Sequence, residues 1–267
     1  MRRHVGQPVR RRGEVRRTRV SRAYFLTHPE VEVDPDVLVP QWGLSQDGRR
    51  RLDRVAREPW AQTLSAISCS SETKARETAG ALAALRGVHI REDHELGEND
   101  RSATGFLRPP EFEATADEFF SNPDVSIRGW ETARDAQERI LRAVDRAIAA
   151  AGGGDIAVVS HGGVGTLFLC HLIGVPIDRQ HDQPGQGSFF CFDPGGGSCC
   201  TAGGAWASSA DQGRPGRMAR WRSGLAGQGF PPGGQCTRGS DAALVVLAAL
   251  LQPARPIAVK GHALACR

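Results

Sequence analysis

No stretch of this chain reaches the roughly 18 apolar residues that a membrane-spanning helix needs, which excludes a helical integral membrane protein. The N-terminal stretch lacks the apolar core of a secretory signal. Seven cysteines are present, but none falls at zinc-binding spacing, and three of them, Cys69, Cys170 and Cys191, lie in the middle of the chain. No internal repeat is found, which excludes a stacked-repeat architecture. These absences predict a soluble, cytoplasmic protein with reduced thiols: Cys170 sits in an apolar helical run and Cys191 within Ser188-Phe189-Phe190-Cys191-Phe192.

Charge is unevenly distributed along the 267 residues, although the total is only +4. Met1 to Arg22 holds nine Arg against one Glu, Ala23 to Gly195 has a net charge of −10, and Gly196 to Arg267 a net charge of +6. The basic arm, 1–22, reads as a disordered extension; it carries none of the aromatics that stack on bases, so nucleic acid is not an expected partner. Pro194 to Arg267 has 14 Gly and six Pro among 74 residues. That is near the fraction, about 25 to 30%, at which low complexity sets in. Residues 194–267 therefore read as a disordered or aberrant tail, and the apolar run Ala242 to Leu251 within it is too short to span a membrane. The folded domain is expected at 23–193.

Within that domain strands and helices alternate. Ala23 to Thr27, Leu64 to Ser68 and Asp155 to Ser160 are short apolar runs that read as buried strands, and Gly187 to Asp193 reads as a last one. Helices are expected from Ser45 to Arg57, from Glu72 to Leu85 after a capping serine, and from Glu111 to Phe120 behind Pro109-Pro110. Apolar residues at Ala133, Ile140, Val144, Ala147 and Ala151 mark a long helix that Gly152-Gly153-Gly154 stops, and Val164 to Ile173 is a further one. The unit Asp155 to Ile173 is a crossover connection, which implies parallel pairing. The fold class is α/β, a mostly parallel central sheet flanked by helices in three layers.

Two histidines follow strands directly: His28 after Ala23 to Thr27, and His161, ahead of Gly162-Gly163, after Asp155 to Ser160. Ligands in open α/β sheets sit at the carboxyl ends of strands, so these ends and the one at Cys69-Ser70-Ser71 can bring two imidazoles and Lys74 to one rim. Cys69 stands at that rim either as a packed thiol or as a nucleophile activated by Lys74.

Four segments in order resemble the histidine phosphatase superfamily, which has the phosphoglycerate mutase-like fold. They are Phe25-Leu26-Thr27-His28-Pro29-Glu30, Ser70-Ser71-Glu72-Thr73-Lys74-Ala75-Arg76-Glu77-Thr78-Ala79, Leu96-Gly97-Glu98 and Ser160-His161-Gly162-Gly163. The resemblance covers about Ala23 to Asp193. It implies that His28 is the nucleophile and forms a phosphohistidine, that His161 stabilises the transferring group, and that Glu98 is the general acid, its carboxyl raised by a partly dry pocket. Gly162 and Gly163, opening a helix, would offer amides to phosphate oxygens. No cofactor and no metal are implied, and the partner is a small phosphorylated substrate.

Two departures stand out. Thr27-His28-Pro29 replaces the usual Arg-His-Gly, and Lys74 aligns with the usual second phosphate-binding arginine. Each lost bidentate bond costs about 1.5 to 3 kcal/mol, or one to two powers of ten in transition-state binding. Thr27, Lys74 and Arg101 are the candidate replacements for phosphate contact. Arg101 either turns into the pocket or is solvated beside Asp100 or Glu98; Thr27 is either a donor or a structural strand end; and Glu98 competes with a reading as one charge of an acidic loop. Arg108, Arg128, Trp130 and Arg134 are candidate specificity residues. The expected activity is metal-independent phosphomonoester hydrolysis, slowed by the altered grip. The alternatives are a non-catalytic member that binds an anion or a protein, and a zinc hydrolase using His28, His161 and Glu98. Oligomeric state is not legible.

Overall fold

The computed structural model describes residues 20–84 and 87–195 and, for the backbone alone, 199–205. Among the described residues five α-helices and six strands follow in the order β1 (Val20–Thr27), α1 (Gln46–Val55), β2 (Leu64–Cys69), α2 (Thr73–Ala84), β3 (Ile90–Glu92), α3 (Pro109–Ser121), α4 (Ala133–Ala150), β4 (Gly154–Ser160), α5 (Gly162–Ile173), β5 (Ser188–Phe192) and β6 (Cys199–Ala205). The strands form one sheet in the order β3-β2-β4-β1-β5-β6. The first three pairings are parallel and the last two, β1 with β5 and β5 with β6, are antiparallel.

Side chains alternate faces along a strand, and here both faces are covered, so the central strands are apolar at nearly every position. Phe25, Ile156 and Val158 join one core with Ile140 and Val144 of α4 and Val164, Leu167 and Phe168 of α5. Tyr24, Leu26, Ile67, Ala157 and Val159 join the other with Leu52 and Val55 of α1 and Ala75, Ala79 and Leu82 of α2. The three layers expected from the sequence are these. Helix starts follow local chemistry: the Ser45 hydroxyl accepts from the Gly48 amide at 3.1 Å, and Thr132 from Asp135 at 3.0 Å. Gly174, at φ 70°, ends α5 in the left-handed conformation.

Gly165 lies inside α5, where glycine costs about 1 kcal/mol of helix propensity. A Cβ there would stand 2.9 Å from the Phe25 ring and 3.6 Å from Thr27 Cγ2. The helix thus gives up propensity so that it can close on β1, the strand that carries His28.

Two elements differ from the sequence reading. β3, Ile90–Glu92, is too short to show a period, and it exists because β2 offers it an edge. The sheet also continues past Asp193, where composition placed the end of the domain. β6 pairs antiparallel with β5 through Ser188↔Ala205, Phe189↔Gly204, Cys191↔Thr201 and Phe192↔Cys199. Glycine weakens a strand, yet an edge position needs only one partner, so a composition that reads as loop adds a strand here. Residues Val20 to Arg22, read from composition as the end of a disordered arm, instead open β1 beside β4; the arm at 1–19, residues 196–198 and the tail from residue 206, with its apolar run at Ala242 to Leu251, lie outside the described residues. Among the described residues, no helix is long and apolar enough to cross a membrane.

Candidate active site

β2, β4 and β1 are neighbours, so their carboxyl ends open on one rim. The Ser70 amide donates to Val159 O at 2.9 Å and the His28 amide to Ser160 O at 3.3 Å, which locks the three ends together. The two imidazoles predicted to meet there do so, with ring centres 5.2 Å apart and planes at 65°.

His28 Nδ1 lies 2.8 Å from Pro29 O. A carbonyl only accepts, so Nδ1 carries the hydrogen, and the lone pair is left on Nε2. The ring is held uncharged: burial, the neighbouring His161 and Lys74 push its pKa down to about 3. Two outcomes follow. The His28 ring signals should show no titration between pH 8 and pH 5 in histidine-resolved NMR; a midpoint near 6.5 would contradict the site as described. The sign for stability is the same as for any depressed group: below about 6.5 the unfolded chain binds a proton that the fold refuses. The contribution is therefore present above pH 6.5 and is lost as pH falls towards about 3.

His161, the residue before α5, is fully buried. Its Nε2 is 2.9 Å from Ser70 Oγ and 3.3 Å from Glu72 Oε1, while Nδ1 is buried without a partner. Burial lowers its pKa, and the carboxylates of Glu72 and Glu98 only partly offset this.

The pocket's charges come in pairs. Lys74 points inward and is 4% exposed. Its Nζ donates to Val39 O at 2.8 Å and to Glu72 Oε2 at 2.5 Å. Burial would raise the Glu72 carboxyl, but His161, Lys74 and the Glu98 amide, 3.0 Å from Oε1, hold it down to about 2. Glu98 accepts from the amides of Gly163 at 3.1 Å and Val164 at 3.0 Å. Arg101 turns inward as well: its guanidinium lies 4.0 Å from Glu98 Oε2, over the rings of Phe112 at 5.2 Å and Trp130 at 5.6 Å.

Glu98 therefore departs from the expectation of a raised carboxyl. Burial does push upward, but Arg101, His161 and the Gly163 amide outweigh it, and the acid sits below its ordinary pKa. In this state it is an ionised cap on α5 that takes up one of the two amides expected for phosphate. Gly162, the first residue of α5, is overhung by Gln183: a Cβ on it would lie 2.2 Å from the Gln183 amide nitrogen. The Thr27 hydroxyl donates to Gln183 Oε1 at 2.6 Å and accepts from the Ser188 amide at 2.9 Å, so it ties β1 to β5 and to the loop before it.

The other candidates separate cleanly. Cys69 is fully buried, and burial pushes its thiol up to about 12, so it is a packed thiol and not a nucleophile. Arg128 and Arg134 form surface ion pairs with Glu111 and Asp124. Trp130 is buried with its indole N–H on Thr104 Oγ1 at 2.8 Å, while Arg108 is exposed just before α3 and its side chain makes no cap bond there. Among the described residues, no group of three His, Cys, Asp or Glu side chains is placed to hold a metal ion.

Three site residues have no role in the sequence analysis: Glu72, although it lies within one of the four segments, Gln183 and Arg139. Arg139, on α4, donates to the carbonyls of Glu95 at 2.7 Å, Gly97 at 3.0 Å and Glu98 at 3.0 Å, and grips Glu131 with two nitrogens at 2.8 and 2.9 Å. It sets the loop that presents Glu98. Ser160 Oγ, donating to Leu96 O at 2.7 Å, anchors the same loop to the end of β4.

The family model described as histidine phosphatase superfamily (branch 1) matches residues 38–198, starting past His28. Among solved structures, Bacillus stearothermophilus YhfR is 23% identical, with a TM-score of 0.56 over 68% of this chain and 95% of that one. A mycobacterial glucosyl-3-phosphoglycerate phosphatase is 21% identical at a TM-score of 0.54, over 65% of this chain and 90% of its own. A putative α-ribazole-5'-P phosphatase of Escherichia coli is 21% identical at 0.52, over 67% and 94%. At these identities the likeness is one of fold. No curated protein sequence matches the chain.

Proposed function

The chain belongs to the histidine phosphatase superfamily, branch 1, and on that premise we propose that it is a metal-independent phosphomonoester hydrolase that passes the phosphoryl group through His28. The observation that carries this reading is the bond from His28 Nδ1 to Pro29 O, which leaves an unprotonated Nε2 beside His161. Nε2 forms the N–P bond as the ester P–O bond breaks, and His161 faces the charge that builds on the phosphoryl oxygens.

Glu98 enters by competition. A phosphoryl dianion that engages Arg101 and takes the Gly163 and Val164 amides removes two of the influences that hold the Glu98 carboxyl down, and its own charge pushes that carboxyl up. Freed, it takes a proton from solvent and gives it to the leaving alkoxide. It then accepts one from the water that attacks phosphohistidine as the N–P bond breaks; alcohol and phosphate leave, and Glu98 returns that proton to solvent as its bonds to the α5 amides re-form. Lys74 and Arg101 are the cations available for phosphate, each already facing a carboxylate. That arrangement predicts slow turnover and speaks against a mutase, which needs a strongly cationic pocket. Small phosphomonoesters fit best, the class named for the phosphatase neighbours. A cytoplasmic setting fits the buried, free Cys69, Cys170 and Cys191.

The test is rapid acid-free quenching of the full chain with a panel of labelled phosphomonoesters, followed by peptide mapping. An acid-labile, base-stable label on His28 is expected. Hydrolysis without any label at His28 would exclude the mechanism. A folded chain that binds phosphate yet shows neither turnover nor label would leave the non-catalytic reading, which the internally paired Thr27, Lys74 and Gly163 favour.

A further inference from the structure

We propose that Glu72 is a positioning residue for phosphoryl transfer: bridging His161 and Lys74 at the end of β2, it lets His161 take up a proton when a phosphoryl dianion enters. The inference rests on the phosphatase reading. It accounts for a side chain that neither the motif resemblance nor the mechanism above uses.

Glu72 is the hub of the pocket. One oxygen reaches His161 Nε2 at 3.3 Å and the Glu98 amide at 3.0 Å, and the other meets Lys74 Nζ at 2.5 Å. A carboxylate so close to a phosphate site repels phosphate unless it serves another group. Here it masks Lys74, so the lysine cannot by itself supply the charge of the missing arginine.

What the carboxylate can do is hold a charged His161. The groups facing that ring are Glu72 just before α2 and Lys74 in its first turn, Glu98 and Arg101 from the loop before α3, and His28 after the end of β1. With no ligand, two acids and two bases offset each other, and burial keeps both imidazoles neutral. A tetrahedral dianion adds two negative charges to that balanced set. His161 responds with the least movement. Its Nε2 already faces Ser70 and Glu72, and its Nδ1, buried without a partner, gains an acceptor. One N–H bond forms on binding, with the proton drawn from solvent, and it breaks when phosphate leaves. A fixed guanidinium is thus replaced by an imidazolium that exists only while the phosphoryl group is bound.

The experiment is calorimetric titration of the full chain with sulfate, a tetrahedral dianion that does not titrate near neutrality. It is run at pH 7.5 in buffers of different ionisation enthalpy and repeated with inorganic phosphate at pH 8.5. Uptake of about two protons per anion is expected in the native chain, one on Glu98 as the anion displaces it from the Gly163 and Val164 amides and one on His161. Glu72→Gln, which keeps the shape, should bind sulfate at least as tightly because Lys74 is unmasked, yet take up one proton fewer; Glu72→Asp should restore part of the difference. In turnover, Glu72→Gln should lower kcat about tenfold to a hundredfold with KM within about threefold, and move the alkaline limb of the kcat/KM profile down by about one pH unit. A purely structural role would change thermal stability but not the proton count. Anion binding with at most one proton taken up, or full uptake in Glu72→Gln, overturns the proposal and leaves the phosphatase reading standing. If neither sulfate nor phosphate binds, both fall together.

Discussion

His28→Ala is expected to lower kcat/KM for every accepted phosphomonoester by at least about a thousandfold while the protein stays folded. The size of the effect comes from the mechanism: without Nε2 no covalent intermediate forms, and water must attack phosphorus directly in a pocket whose cations are already paired. Folding should survive because the side chain's one hydrogen bond is local, to Pro29 O. The hydrogen bonds that join His28 to other elements are from its backbone, to Ser160 O and from the Gly187 amide, and alanine keeps both. Steady-state kinetics with and without chelator, alongside a thermal melt, decides the matter. A variant within tenfold of the native chain would place the nucleophile elsewhere. Native activity abolished by chelator would instead support the zinc alternative.

Arg139→Met should be the most damaging single change outside the rim. Methionine keeps much of the apolar volume but leaves the carbonyls of Glu95, Gly97 and Glu98 without their donor. It also leaves the Glu131 carboxylate, 17% exposed, without its ion-pair partner. Removing one member of a buried pair typically costs about 3 to 5 kcal/mol. Because Arg139 keeps some exposure, at 16%, the lower end applies. A melting temperature lower by about 5 to 10 °C is expected, together with a kcat loss of about tenfold to a hundredfold, since the loop that presents Glu98 loses its brace. Glu131→Gln, which retains a hydrogen-bond acceptor, should give a smaller fall in both. An Arg139→Met protein with native stability and rate would show that the Ser160 and Glu72 contacts alone position that loop.

How much was legible in advance divides along physical lines. β1 and β4 were readable because both faces of each strand are buried, which turns the sequence into unbroken apolar runs. α4 was readable from helical spacing, and His28 and His161 from their place directly after strands. β3 was not, because three residues make no period, and β6 was not, because glycine-rich composition describes a loop and an edge strand equally well.

The site shows the same division more sharply. That Lys74 faces inward was implied by the family resemblance of its segment; that a carboxylate two residues earlier masks it was not, because neighbours in sequence at a helix start point where the turn sends them. Arg101 turned inward, but the target of its charge, Glu98, was itself redirected onto α5. The sequence alone determined the alternation of elements, the rim and the two imidazoles on it, since these depend on local periodicity and on the rule that strand ends carry the site. Tertiary structure decided the charge state of the pocket. A pKa depends on which groups converge within a few ångströms, and Glu72, Glu98, Arg139 and Gln183 reach the rim from different parts of the chain.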